Sequence, residues 1–154
     1  MRKSLIIGVG NEFRGDDSVG IVAARRLRTR IGNAVDVLEH SGEGASLMEA
    51  WSGYDTLILI DAVETSVTPG QIFHFDVSIE RLPTRFFHYS THAFGLTEAI
   101  ETARALGRLP KQVFVYGVQG KRFDTGAPLS KEVETSVDGL VLLILERLNL
   151  LSSH

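Results

Sequence analysis

Leu5-Ile6-Ile7-Gly8-Val9-Gly10-Asn11-Glu12-Phe13-Arg14-Gly15-Asp16-Asp17-Ser18-Val19-Gly20 begins as an apolar run and ends where a helical pattern sets in. That order reads as strand, loop and helix, the opening unit of a parallel α/β sheet. In such a sheet the junction after a strand faces the crevice where ligands bind. This junction carries two carboxylates, Asp16 and Asp17. They serve either as a helix cap or as acids presented to a cation or a water.

Outward from this stretch, short apolar runs recur at residues 35–38, 57–60 and 113–118, separated by segments of helical periodicity. Leu57-Ile58-Leu59-Ile60 is continuous rather than alternating, as in a central strand covered on both faces. Gln71-Ile72-Phe73-His74-Phe75-Asp76 alternates after a Pro69-Gly70 turn and reads as an edge strand, with antiparallel pairing open to it. Helices are expected over residues 18–31, with Val19, Val22, Ala23 and Leu27 inward, and over 45–51. A third is expected from near His92 to Leu106, before Gly107 and Pro110, and a fourth from a Ser130 cap through Leu148. The expected fold is a three-layer α/β sandwich, a mostly parallel twisted sheet of about five strands flanked by helices. Residues 78–90 form the one loop long enough to suggest a mobile functional segment.

Composition narrows the function. The chain has 154 residues, 44% of them apolar, enough for one domain over 1–154 with a substantial core. Net charge is only -3, and the basic run Arg25-Arg26-Leu27-Arg28-Thr29-Arg30 falls within a helix as a solvated face, which argues against nucleic acid. The absence of cysteine excludes disulfides, thiolate nucleophiles and Cys-ligated metal centres. The apolar stretch before Gly8 is too short for a signal-peptide core and no run approaches a membrane span, so a cytoplasmic protein is expected.

Gly8-Val9-Gly10 invites a dinucleotide-binding reading, but the third glycine of that motif would fall at Phe13, and two acids at the helix start repel phosphates. Asp61 closes the run Leu57-Ile58-Leu59-Ile60-Asp61 and projects into the same crevice as the loop after the first strand. Its bland alternative is a buried Asp bonded to loop amides. His92, if Ser90 or Thr91 caps the third helix, sits in a first turn whose dipole favours a neutral imidazole. Two carboxylates and an imidazole suit a divalent transition metal with open positions. His88, four residues earlier, is a second choice, because the capping residues fall between the two histidines.

Taken in order, Gly8-x-Gly10-Asn11, Asp16-Asp17, Gly20, Asp61-Ala62, Ser90-x-His92 and Gly117-Val118-Gln119 make the chain resemble the hydrogenase maturation proteases over essentially its whole length. The resemblance implies an endopeptidase that removes the C-terminal extension from the nickel-loaded large-subunit precursor of a nickel-iron hydrogenase. It implies that Asp17, Asp61 and His92 are both the catalytic and the metal-binding residues. The nickel would be that of the precursor, with no organic cofactor, and the enzyme would act as a monomer. Substrate contacts are implied at Asn11, Asp16, Gly42, Gly44 and Gln119, with Asp16 otherwise a cap or an outer partner of the acids. Three positions depart from the family's pattern: His40-Ser41-Gly42-Glu43-Gly44-Ala45 stands where a Gly-Gly-Thr loop is frequent, Gly120 follows Gln119 where Pro is common, and Ser18 replaces a frequent Gly. A nickel-binding or chaperone-like module that contacts the precursor without cutting it is the alternative of a different class, and a nucleotide-binding α/β enzyme a further one.

Overall fold

The computed structural model describes residues 3–65, 67–83, 86–87 and 92–152. Five strands, β1 (Ser4–Val9), β2 (Asp36–His40), β3 (Thr56–Val63), β4 (Ile72–Asp76) and β5 (Gln112–Gln119), form one sheet in the order β2-β1-β3-β5-β4. All neighbours are parallel except β4, which runs antiparallel to β5 at one edge, as its alternating pattern predicts. Every residue of β3 is buried, so the continuous apolar run does mark the sheet's centre.

Four helices cover the two faces: α1 (Val19–Ile31), α2 (Gly44–Ala50), α3 (Leu96–Ala105) and α4 (Lys131–Ser152). The twofold alternation of strand side chains sorts the core into two layers. Ile6, Ile58, Ile60, Phe114 and Tyr116 meet α1 and α4 through Val19, Leu27, Val137 and Leu140. Leu5, Ile7, Leu59 and Val115 meet α2 and α3 through Leu47, Trp51, Leu96 and Ile100. The three-layer α/β architecture expected from sequence is the one observed.

Backbone proximity, with no side chain between, sets the seat of α1. A Cβ on Gly20 would lie 2.4 Å from the carbonyl oxygen of Ile60 and 2.5 Å from that of Val9. The first turn of α1 therefore rests directly on β1 and β3, which only glycine permits. Asp17 immediately precedes this seat, so its location is fixed relative to both strands.

Three expectations need correction. Neither acid caps α1: a short 3-10 turn, Gly15–Ser18, precedes it, and no side chain caps either start. Asp16 is instead fully buried, and its carboxylate accepts N–H bonds from Lys121 (2.7 Å), Arg122 (3.0 Å) and Ser130 (2.7 Å). Three amides from the segment leading into α4 outcompete the helix for it. The third helix begins at Leu96 rather than near His92, because Gly95 is its cap and the Gly95 N–H donates to Glu98 at 2.9 Å. His92 therefore lies outside the first turn of α3. Ser90 and Thr91, expected as caps, and His88 lie outside the described residues.

Candidate active site

An open cleft of about 1390 Å³ lies at the carboxyl ends of β1, β2 and β3. Helix α1 packs on one face of the sheet and α2 on the other, so the crevice between β1 and β3 is the topological switch point of the fold. Asp17, Asp61 and His92 all line it, carried by the turn before α1, by β3 and by the segment before α3. Asp17 and Asp61, 44 positions apart in sequence, reach one cavity because the parallel strands β1 and β3 end on the same side, and the segment before α3 brings His92 to it.

Asp17 is held by its own loop. Its carboxylate accepts the Asn11 N–H at 3.1 Å, and its N–H donates to the Arg14 carbonyl at 3.0 Å. Gly10, at φ +149°, admits this arrangement, since a Cβ there would stand 1.9 Å from the Asp17 carbonyl oxygen. The second glycine of Gly8-x-Gly10 thus makes room for an acid rather than for a phosphate.

Asp61 is 8% exposed and accepts the Ala62 N–H at 2.8 Å. Burial first, and then the charge of Asp17, push its carboxyl well above the usual range, while the Ala62 bond pulls the other way. A buried acid beside a second acid favours either a proton or a cation. His92 is half-buried and lines the same cleft. Among the described residues, no three His, Asp or Glu side chains stand close enough to enclose one ion. The donor chemistry suits a divalent transition metal, but no closed cage for a resident ion is built from the described residues.

Of the expected substrate contacts, Asn11 and Gly42 line the cleft. Asp16, Gly44 and Gln119 face inward. Gln119 accepts from the Thr65 N–H and hydroxyl at 2.9 and 2.8 Å and donates to the Gly120 carbonyl. Gly44 donates its N–H to Phe94 at 2.7 Å, joining α2 to the segment before α3. The described part of the 78–90 loop supplies cleft wall through Arg81, Leu82 and Phe87.

From sequence His40 has no evident converging partner and Glu64, Arg14 and exposed Phe13 carry no signal, yet all four line the cleft. The signal for His40 was its place at the end of the strand beside β1. The basic run on α1 is surface, yet not idle: Arg25 pairs with Glu12 at 2.7 Å and Glu39 at 2.9 Å, and Arg28 pairs with Glu39 at 3.2 Å, bracing the cleft rim.

The fold and this cleft define a mostly parallel α/β protein whose switch point presents acids and an imidazole in one open crevice. The chain belongs to the hydrogenase maturation protease family, whose profile matches residues 21–147. It is 28% identical over 138 residues to the hydrogenase 2 maturation protease of Escherichia coli, covering 87% of this chain and 83% of that one. It is 29% identical over 137 residues to the hydrogenase expression/formation protein HupD of Bradyrhizobium diazoefficiens, covering 86% and 71%. Among solved structures, the [NiFe] hydrogenase maturation protease HybD from Thermococcus kodakarensis is similar at a TM-score of 0.75 and 31% identity, covering 96% and 99%. The hydrogenase maturating endopeptidase HybD from E. coli shares the fold at a TM-score of 0.80, covering 97% and 93% at 23% identity.

Proposed function

We propose that this peptidase removes the C-terminal extension from the nickel-loaded precursor of a nickel-iron hydrogenase large subunit, and that nickel carried by the precursor brings Asp17, Asp61 and His92 into play. One observation supports the nickel dependence: Asp61 is buried beside the charge of Asp17, which strengthens its hold on a proton, and a cation brought to the pair favours its ionised form. A precursor that delivers a divalent ion to the cleft relieves that repulsion, and one without it does not. The chain then discriminates loaded from empty substrate by electrostatics.

Hydrolysis needs a water oxygen to attack the peptide carbonyl, a base to take the water's proton, and a proton for the departing amide nitrogen. Once the cation is near, an ionised carboxylate of the pair takes the first proton and returns it to the nitrogen. His92 contributes a nitrogen ligand to the substrate's nickel, a donor that imidazole supplies readily. The His40-Ser41-Gly42-Glu43-Gly44-Ala45 stretch, which departs from the family's pattern, selects the particular large subunit. The enzyme acts as a monomer in the cytoplasm, and no described helix is long and apolar enough to cross a membrane.

The test is to incubate the purified chain with its cognate large-subunit precursor, nickel-loaded and nickel-free, and to measure the precursor's mass. Loss of a C-terminal peptide from the loaded form alone is expected. Equal cleavage of both forms would remove the nickel dependence, and binding without any cleavage would leave a chaperone-like module.

A further inference from the structure

We propose that His40 is a catalytic residue of this peptidase, its Nε2–H donating a hydrogen bond to the carbonyl oxygen of the peptide bond being cut. The proposal rests on the peptide cleavage proposed above and adds a residue to it.

The geometry sets the tautomer. The Gly42 N–H reaches His40 Nδ1 at 2.9 Å. An amide N–H only donates, so Nδ1 must be the unprotonated acceptor and the proton must reside on Nε2. An imidazolium would set two donors against each other at that contact, so the same bond selects the neutral ring. Burial also lowers the ring's affinity for a second proton, opposed in part by the charge of Glu43 and aided to a lesser degree by His92.

The position is fixed as well. His40 is the residue of β2 in register with Val9, and its carbonyl accepts the Gly10 N–H at 3.0 Å. Gly10 is the residue that makes room for Asp17. The backbone is therefore anchored to the loop that carries Asp17 and the ring to the turn that follows β2, and His40 lines the same cleft. With Nδ1 occupied, Nε2–H is what the ring has left to offer a ligand there.

Chemistry calls for such a group. As water attacks, the carbonyl oxygen gains negative charge, and a donor aimed at it stabilises the transition state more than the substrate. Ionised Asp17 and Asp61 only accept hydrogen bonds and repel that oxygen. A neutral, pre-positioned imidazole N–H supplies the missing donor without losing a proton in the step.

The competing reading makes His40 a brace for the Ser41–Gly42 turn and nothing more. Two substitutions separate the readings. In His40→Asn the amide oxygen accepts the Gly42 N–H from a near-equivalent position, so the turn survives while the donor is lost. In His40→Gln the side-chain amide places an N–H near the Nε2 position. Initial rates on the nickel-loaded precursor, with thermal unfolding of each variant, give the readout. The expected result is that His40→Asn lowers kcat by about 10²-fold with KM within about twofold and Tm nearly unchanged, while His40→Gln regains at least about tenfold of the loss. A His40→Asn variant with wild-type kcat, or one altered only in KM, would overturn the proposal, as would His40→Gln no faster than His40→Asn. Should His40→Asn fail to fold, His40→Leu against His40→Gln replaces it, and equal kcat in those two overturns the proposal. If the wild-type chain does not cut the precursor at all, the proposed function fails before His40 is in question.

Discussion

The buried carboxyl of Asp61 lies within reach of the charge of Asp17, and after burial itself that charge is what strengthens its hold on a proton. The two acids therefore sit at the cost of folding stability, a frequent property of reactive sites. Asp61 in its folded environment binds a proton more tightly than in the unfolded chain. Its stabilising contribution is full below its ordinary value of 3.8 and is lost as pH rises through the folded value. Asp61→Asn should thus have a higher Tm than wild type at pH 7, with the gap closing in acid, while losing precursor processing. Tm measured from pH 3 to 8 checks this, and a variant less stable at neutral pH would contradict it.

Asp17→Asn and His92→Ala should each reduce precursor processing at least about 10²-fold with the fold intact, since each removes a cleft group to which the proposed function gives a part in the reaction. Asp17→Asn should also bring the Asp61 carboxyl part of the way back toward its ordinary range, a change that carboxyl NMR reads directly. An Asp61 titration identical to wild type in that variant would show that the two acids are not coupled.

Asp16 calls for a different outcome from its neighbour. Asp16→Ala leaves the Lys121, Arg122 and Ser130 amides without their acceptor in a buried site, at a cost of about 3 kcal/mol or more in urea unfolding. Loss of activity here should track loss of folded protein, whereas in Asp17→Asn it should not.

Glu43 caps α2 by accepting from the Ala45 and Ser46 amides at 2.9 Å each, and from the Ser46 hydroxyl. Those bonds, the Ser46 hydroxyl first, hold its carboxyl down at about 2. The lowered value means its stabilisation is full above 4.5 and disappears as pH falls toward about 2. Glu43→Gln should flatten the stability curve in that window. Superimposable acid limbs for the two proteins would remove the cap's electrostatic role.

Gly20→Ala should destabilise the protein by roughly 1–3 kcal/mol, because the added methyl meets the carbonyls of Ile60 and Val9 and lifts α1 off the sheet. Chemical denaturation reads the loss. An unchanged midpoint would mean that α1 is not seated as described.

The layering of the fold was legible because β3 and β5 are buried on both faces and carry unbroken apolar runs, while β4 alternates. That Asp17 and Asp61 share one cleft was legible because parallel strands put the loops that follow them on one side, whereas His92 follows the antiparallel β4 and was placed with them only by the resemblance to the family. What local pattern did not carry was long-range backbone demand. Asp16 reads as a cap until the amides of residues 121, 122 and 130 arrive, and nothing near it in sequence announces them. Gln119 reads as a surface contact until Thr65 takes its oxygen. His92 reads as helical because Ser90 and Thr91 are good caps, yet Glu98 secures the start at Gly95. His40 reads as partnerless in sequence because its partner is a main-chain N–H two residues on, which no side-chain motif records.

The contact of Gly20 with the carbonyls of Val9 and Ile60 has a bearing beyond stability. Ile60 adjoins Asp61, and the turn leading into Gly20 carries Asp17, so the main chain itself sets the interval between the two acids. An interval set in this way acts as a gauge: it belongs to the frame of the sheet rather than to the reach of either side chain.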